Sequence, residues 1–185
     1  MSVGILLILA TIGLVGVYFS VMALRNYRKF RGERVIICPE TKRPAAVDLD
    51  LGHVALTGLG GVPDLRLSDC SRWPEREDCG QECLRQIEQA PENCLVRNLV
   101  VKWCSGKTCA VCGHDLGSVE SWGKQIALLA PDGNTREWGG VAAEQLPDLF
   151  NTHKPICWNC HIAEQFRRQN PDMVTDRASH HSAIH

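Results

Sequence analysis

Cys157-Trp-Asn-Cys160-His161-Ile-Ala-Glu-Gln-Phe-Arg-Arg-Gln-Asn170 is the stretch whose reading decides the fold. A CxxC pair here runs straight into a segment in which Ile162 and Phe166 share one face, with Glu164, Arg167 and Arg168 on others. That spacing predicts a short amphipathic helix ending at Pro171. Thiols at a helix N-terminus gain from the helix dipole, which favours the thiolate and therefore a metal ion. A second pair lies upstream, Cys109-Ala-Val-Cys112, followed by Gly113 and His114. Gly113 allows the backbone to turn so that amides reach the sulfurs, as in a zinc knuckle. Between the pairs, Gln125 to Trp138 reads as a hairpin around Pro131-Asp-Gly-Asn134. Leu146 to Phe150 reads as a short helical turn, and Asn151 to Pro155 as an extended lead into the second pair.

Pair, hairpin, then pair at a helix start is the order of a tetrahedral site with four cysteine ligands. Over about Ser105 to Asn170 it resembles the treble-clef family of zinc folds, whose helix supplies the last two ligands from its first turn. The matching ligands are Cys109, Cys112, Cys157 and Cys160, although the separation between the pairs is longer than in compact zinc ribbons. The resemblance implies a fold and a metal, and no particular activity.

Cys157-x-x-Cys160-His161 is also the attachment motif of a c-type haem. On that reading His161 is the proximal ligand, and Met173, His153 or a tail histidine supplies the sixth. Haem attachment requires the periplasmic face, and it leaves Cys109 and Cys112 without a partner pair. Topology therefore bears on the choice. Ser2 to Leu24 carries no charged side chain and is long enough to cross the roughly 30 Å hydrocarbon core as a helix. Arg25, Arg28, Lys29, Arg31 and Arg34 follow it, so the positive-inside rule puts the C-terminal part in the cytoplasm. A signal peptide would carry its basic residues before the apolar run and a small-residue cleavage site after it, and neither is evident. Zinc is the reading this orientation favours.

The remaining cysteines are less regular. The 185-residue chain holds ten, with a net charge of −1 that offers no nucleic-acid-binding surface. Val35 to Leu49 predicts a strand, a Pro-bounded turn opening at Cys38, and a second strand. Leu51 to Leu67 is glycine-rich. Its Gly58-Leu-Gly60-Gly61 lacks the Lys-Ser/Thr of a phosphate loop and reads as a flexible connection. Pro74 and the acidic residues behind it suit a helix start, which would put Cys79 and Cys83 one turn apart on one face. Cys38, Cys70, Cys79 and Cys83 then form a candidate second metal site, with Cys94 and Cys104 competing for the same places. An iron–sulfur cluster or an oxidation sensor is the alternative use of these thiols. Farther on, Leu95, Val96, Leu99, Val100 and Trp103 recur at helical spacing behind Pro91, a core stripe.

Together these readings predict an α+β chain. It has a transmembrane anchor at 1–24, a basic juxtamembrane linker at 25–34, a lobe of hairpin and short helices at 35–104, a treble-clef-like lobe at 105–171 and a disordered tail at 172–185. No Ser-His-Asp order, phosphate loop or dinucleotide fingerprint can be read, nor the βαβ context of a thioredoxin-like redox site. The expected role is binding or scaffolding at the membrane, with other membrane or membrane-associated proteins as partners.

Overall fold

Val35-Ile-Ile37 and Ala45-Ala-Val47 are β-branched or small residues on either side of a polar turn, and they form the first hairpin. In the computed structural model of the chain, which describes residues 3–75, 79–116 and 126–173, β1 (Arg34–Ile37) pairs antiparallel with β2 (Pro44–Leu49), in register Val35↔Ala46. β3 (Leu67–Cys70) pairs on the other side of β2, giving a three-stranded meander of order β1-β2-β3. The expected tail from Val174 onward, Arg76 to Asp78 of the expected helix start, and Gln125 lie outside the described residues.

The chain divides into two compact units. Met1–Lys102 with Ala142–Pro147 forms the first, and Trp103–Val141 with Asp148–His185 the second. In unit 1 the sheet packs with α2 (Leu51–Thr57) and α3 (Leu84–Gln89) around Phe30, Ile36, Val47, Val54, Leu67 and Ile87. α4 (Val96–Cys104) buries Val96 and Val100. The glycine-rich stretch from Leu51 opens with α2, and the expected flexible connection at Gly58-Leu-Gly60-Gly61 begins as a 3-10 turn with Gly58 buried. Asp50 accepts the His53 amide at 3.0 Å as the N-cap of α2. Glycine content marked a loop, but the Asp50 cap and the burial of Val54 decide for a helix.

α1 (Val3–Phe30) is long and apolar enough to cross a membrane, and every residue from Val3 to Val21 is exposed. Its 28 residues span about 42 Å at 1.5 Å per residue, more than the roughly 30 Å of a hydrocarbon core. The helix therefore continues to Phe30, where a basic linker was expected, and only Arg31 to Glu33 connect it to β1. In this last part Met22, Asn26 and Phe30 form an i, i+4, i+8 stripe, all three partly or fully buried, and α2 packs against α1. Gly58 makes that approach close, since a Cβ there would collide with the Asn26 amide.

Arg34 ends the helix. It is fully buried, and its guanidinium donates to the carbonyls of Phe30 (2.5 Å), Gly32 (2.7 Å) and Lys29 (3.3 Å). These include carbonyls that a helix C-terminus leaves without partners, and a cation there also meets the negative end of the dipole. Replacing Arg34 with Met should lower the unfolding free energy of unit 1 by about 3 kcal/mol, because buried carbonyls are left unsatisfied. Chemical denaturation of the detergent-solubilised chain checks this, and an Arg34→Met variant as stable as wild type would contradict it.

Candidate metal centre

Unit 2 is built from short pieces. β4 (Ile126–Leu129) lies between β5 (Thr135–Glu137) and β6 (Lys154–Cys157), all antiparallel. The β4–β5 turn has the expected chemistry: Gly133 takes φ +80°, and Asp132 accepts the Asn134 amide at 2.8 Å. α5 (Leu146–Thr152) leads into β6, and α6 (Trp158–Gln169) starts directly after it. The expected helix after the second pair thus begins inside that pair, with Cys157 at its N-cap and Cys160 in its first turn. Arg168 ties the helix to the hairpin tip through the Asn134 side-chain oxygen.

The first pair sits on a tight turn. The Cys109 amide donates to the His114 carbonyl (2.8 Å), and the Gly113 amide returns to the Cys109 carbonyl (2.9 Å). Gly113 adopts φ +72°, which a residue with a side chain rarely does. The Ala110 amide donates to the Pro155 carbonyl at 3.0 Å and the Cys157 amide to the Cys109 sulfur at 3.3 Å, so the turn is fastened to β6.

These fastenings bring the sulfurs of Cys109, Cys112, Cys157 and Cys160 within 4.8 Å of one another. Cys112 Sγ and Cys157 Sγ are 3.8 Å apart. A tetrahedral ion with metal–sulfur bonds of about 2.3 Å has sulfur–sulfur edges of about 3.8 Å, so the spacing fits one ion held by four thiolates. Their protonation points the same way. Burial raises the Cys109 thiol, but the amides of Cys112, Cys157 and Val111 outweigh it and bring it down to about 7. Burial first, then the thiols of Cys157, Cys112 and Cys109, push Cys160 strongly upward, and burial raises Cys157. One thiolate is favoured and the next are opposed by burial and by their neighbours, a conflict that a bound cation removes.

His161 stands apart from this set. It is fully buried, with Nδ1 2.9 Å from the Thr135 hydroxyl and Nε2 3.9 Å from Glu137. Its ring leans on Trp158, with centroids 5.1 Å apart. Thr135 as its partner could not be read from the sequence, because only the β4–β5 pairing brings a residue 26 positions away to the ring. Arg167 lines the groove beside the sulfurs, a cation placed near the thiolate charge. Lys107 lies over the Trp103 ring, 4.7 Å from its centroid, and Arg168 is engaged at the hairpin.

The other cysteines sort cleanly. Cys104 is fully buried and its thiol is pushed up to about 11 by burial, and Cys94 is raised for the same reason. Cys104 is a core thiol, and Cys94 is half-buried against the core of unit 1. Burial likewise raises Cys70, and pushes Cys83 up to about 11. Cys38, Cys70, Cys79 and Cys83 instead line one pocket of unit 1. The expected helix through Cys79 is not there: α3 begins at Leu84, and Gln81 takes φ +52°. Cys79 and Cys83 therefore belong to a non-helical turn before α3.

The chain matches no protein-family profile, no curated protein and no solved structure.

A Cys157→Ser variant should lose one equivalent of metal per chain, whereas His161→Gln should keep it. Elemental analysis of the purified proteins distinguishes the two, and loss of metal from both would place His161 in the ligand set.

Proposed function

We propose that the protein is a membrane-anchored zinc protein whose cytoplasmic part serves as a binding or scaffold module, or as an accessory subunit of a membrane complex. The observation that carries this reading is the all-thiolate quartet with its 3.8 Å sulfur edge. Four sulfurs and no histidine or carboxylate make a closed site, the form zinc takes in structural roles, whereas catalytic zinc keeps a position open for water or substrate. Knuckle, hairpin and helix around it support a treble-clef-like fold. The site's contribution is then folding free energy, since β4, β5 and β6 supply a small core and the ion joins the knuckle to β6 and α6.

Two further observations support the binding role and the side of the membrane. Ile162 and Phe166, one turn apart on α6, are 46% and 49% exposed, an apolar face suited to a partner protein. At the end of α1, Arg25, Arg28, Lys29 and Arg31 are exposed, which keeps the positive-inside bias even though Arg34 is buried in the fold.

In native membranes the chain should migrate in an assembly larger than itself, and Ile162→Ser with Phe166→Ser should release it while zinc content stays unchanged. Identical migration of wild type and double variant in a native gel would overturn the scaffold reading. A reporter fused to the C-terminus should be active only if it functions in the cytoplasm. A haem c absorption band that disappears in His161→Gln would replace the whole reading with a periplasmic cytochrome.

A further inference from the structure

We propose that unit 1 carries a second metal site, in which Cys38, Cys70, Cys79 and Cys83 bind one zinc ion. This site is separate from the quartet of unit 2, and a turn of the same form occurs in each unit. At Cys38 the amide donates to the Arg43 carbonyl (2.9 Å), and the Lys42 amide returns to the Cys38 carbonyl (2.8 Å). Lys42, four residues after the cysteine, takes φ +57°. At Cys109 the same two bonds join the same relative positions, and Gly113, again four residues on, takes φ +72°. The likeness extends to sulfur. Amides two and three residues ahead face each of these sulfurs, those of Val111 and Cys112 at Cys109 and those of Glu40 and Thr41 at Cys38. The fourth residue of the turn is Cys112 in one case and Thr41 in the other, so the Cys38 turn is a knuckle that offers one thiolate. CxxC spacing is what makes knuckles visible in a sequence, and this one lacks it.

The other three sulfurs are brought to the knuckle by separate fastenings. Cys70 ends β3 and receives the Arg72 amide. Cys79 receives the Gln81 amide at 3.4 Å. Gln81 in turn uses its side-chain oxygen to accept the Leu67 amide of β3 (3.0 Å), which holds the Cys79–Cys83 turn beside the strand that carries Cys70. Gln86 does the same toward β1, accepting the Ile37 amide (3.0 Å) and donating to its carbonyl (2.7 Å), next to Cys38. Amide-to-sulfur bonds on three of the four cysteines suit thiolates better than core thiols.

The pocket that the four cysteines line has a volume of about 40 Å³, room for an ion. Its sulfurs are less tightly gathered than those of unit 2, the only set among the described residues with all ligand atoms within 4.8 Å. Binding therefore draws them inward. Cys79, half-buried and outside the core, is placed to move, whereas Cys70 and Cys83 are core residues and Cys38 is held by its turn.

The test is zinc per chain in the full-length protein purified in detergent. Two equivalents are expected in wild type, one in Cys79→Ser and one in Cys109→Ser, the second variant isolating the unit 1 ion from the unit 2 ion. A wild type with one equivalent that Cys79→Ser retains would overturn the proposal, as would a disulfide among the four cysteines. If Cys79→Ser does not fold, cobalt(II) titration of metal-free wild type decides. Thiolate-to-cobalt absorption rising to two equivalents supports the second site, and a plateau at one equivalent refutes it.

Discussion

Four sulfur atoms held within 4.8 Å of one another cannot all ionise unless a cation sits among them. Unit 2 accepts that constraint in its backbone. The Cys109 turn, the Ala110–Pro155 bond and the start of α6 at Trp158 converge on the sulfurs, and the amide of Cys157 is spent on the Cys109 sulfur rather than on a carbonyl. With strands of three or four residues, little else could hold the knuckle against the helix. An ion bound there would take over work that a larger protein gives to its apolar core.

Unit 1 solves a different problem, the passage from an apolar helix to a folded sheet. A helix end must satisfy its last carbonyls, and an apolar helix that runs into a folded sheet must also cover its last apolar side chains. Arg34 does the first from within the fold. The Met22, Asn26 and Phe30 stripe, with Gly58 giving α2 room to approach, does the second. α1 is thus nearly continuous with the sheet that follows it, with Arg31 to Glu33 alone between them.

Much of this could be read beforehand where the signal is local. The CxxC pairs, Gly113 in its positive-φ position, the Pro131–Asn134 turn and the hairpin at Val35–Leu49 each depend on residues a few positions apart, and each lies where its spacing predicts. The readings that failed weighed composition against contacts not yet known. Gly58 and its neighbours looked like a flexible connection, but Gly58–Gly60 form a 3-10 turn after α2 in which Gly58 is buried against Asn26. The helix expected through Cys79 gave way because Gln81 is held in a left-handed turn by its bond to Leu67. Arg34 looked like one more basic residue following an apolar run, and nothing near it in the chain shows that its guanidinium is buried.

By itself, the sequence determined which residues could bind a metal, that one helix is long and apolar enough to cross a membrane, and where the short hairpins lie. These follow from spacing, length and turn chemistry, all of which are short-range. Only the tertiary structure decided what holds those thiols together. Cys109 and Cys157 are 48 positions apart, and Cys38 joins a pocket with Cys79 and Cys83 through glutamine side chains that bond to strands far from them in the chain. Side chains so distant along the chain are brought together by strand pairing and burial, and those depend on the whole fold at once.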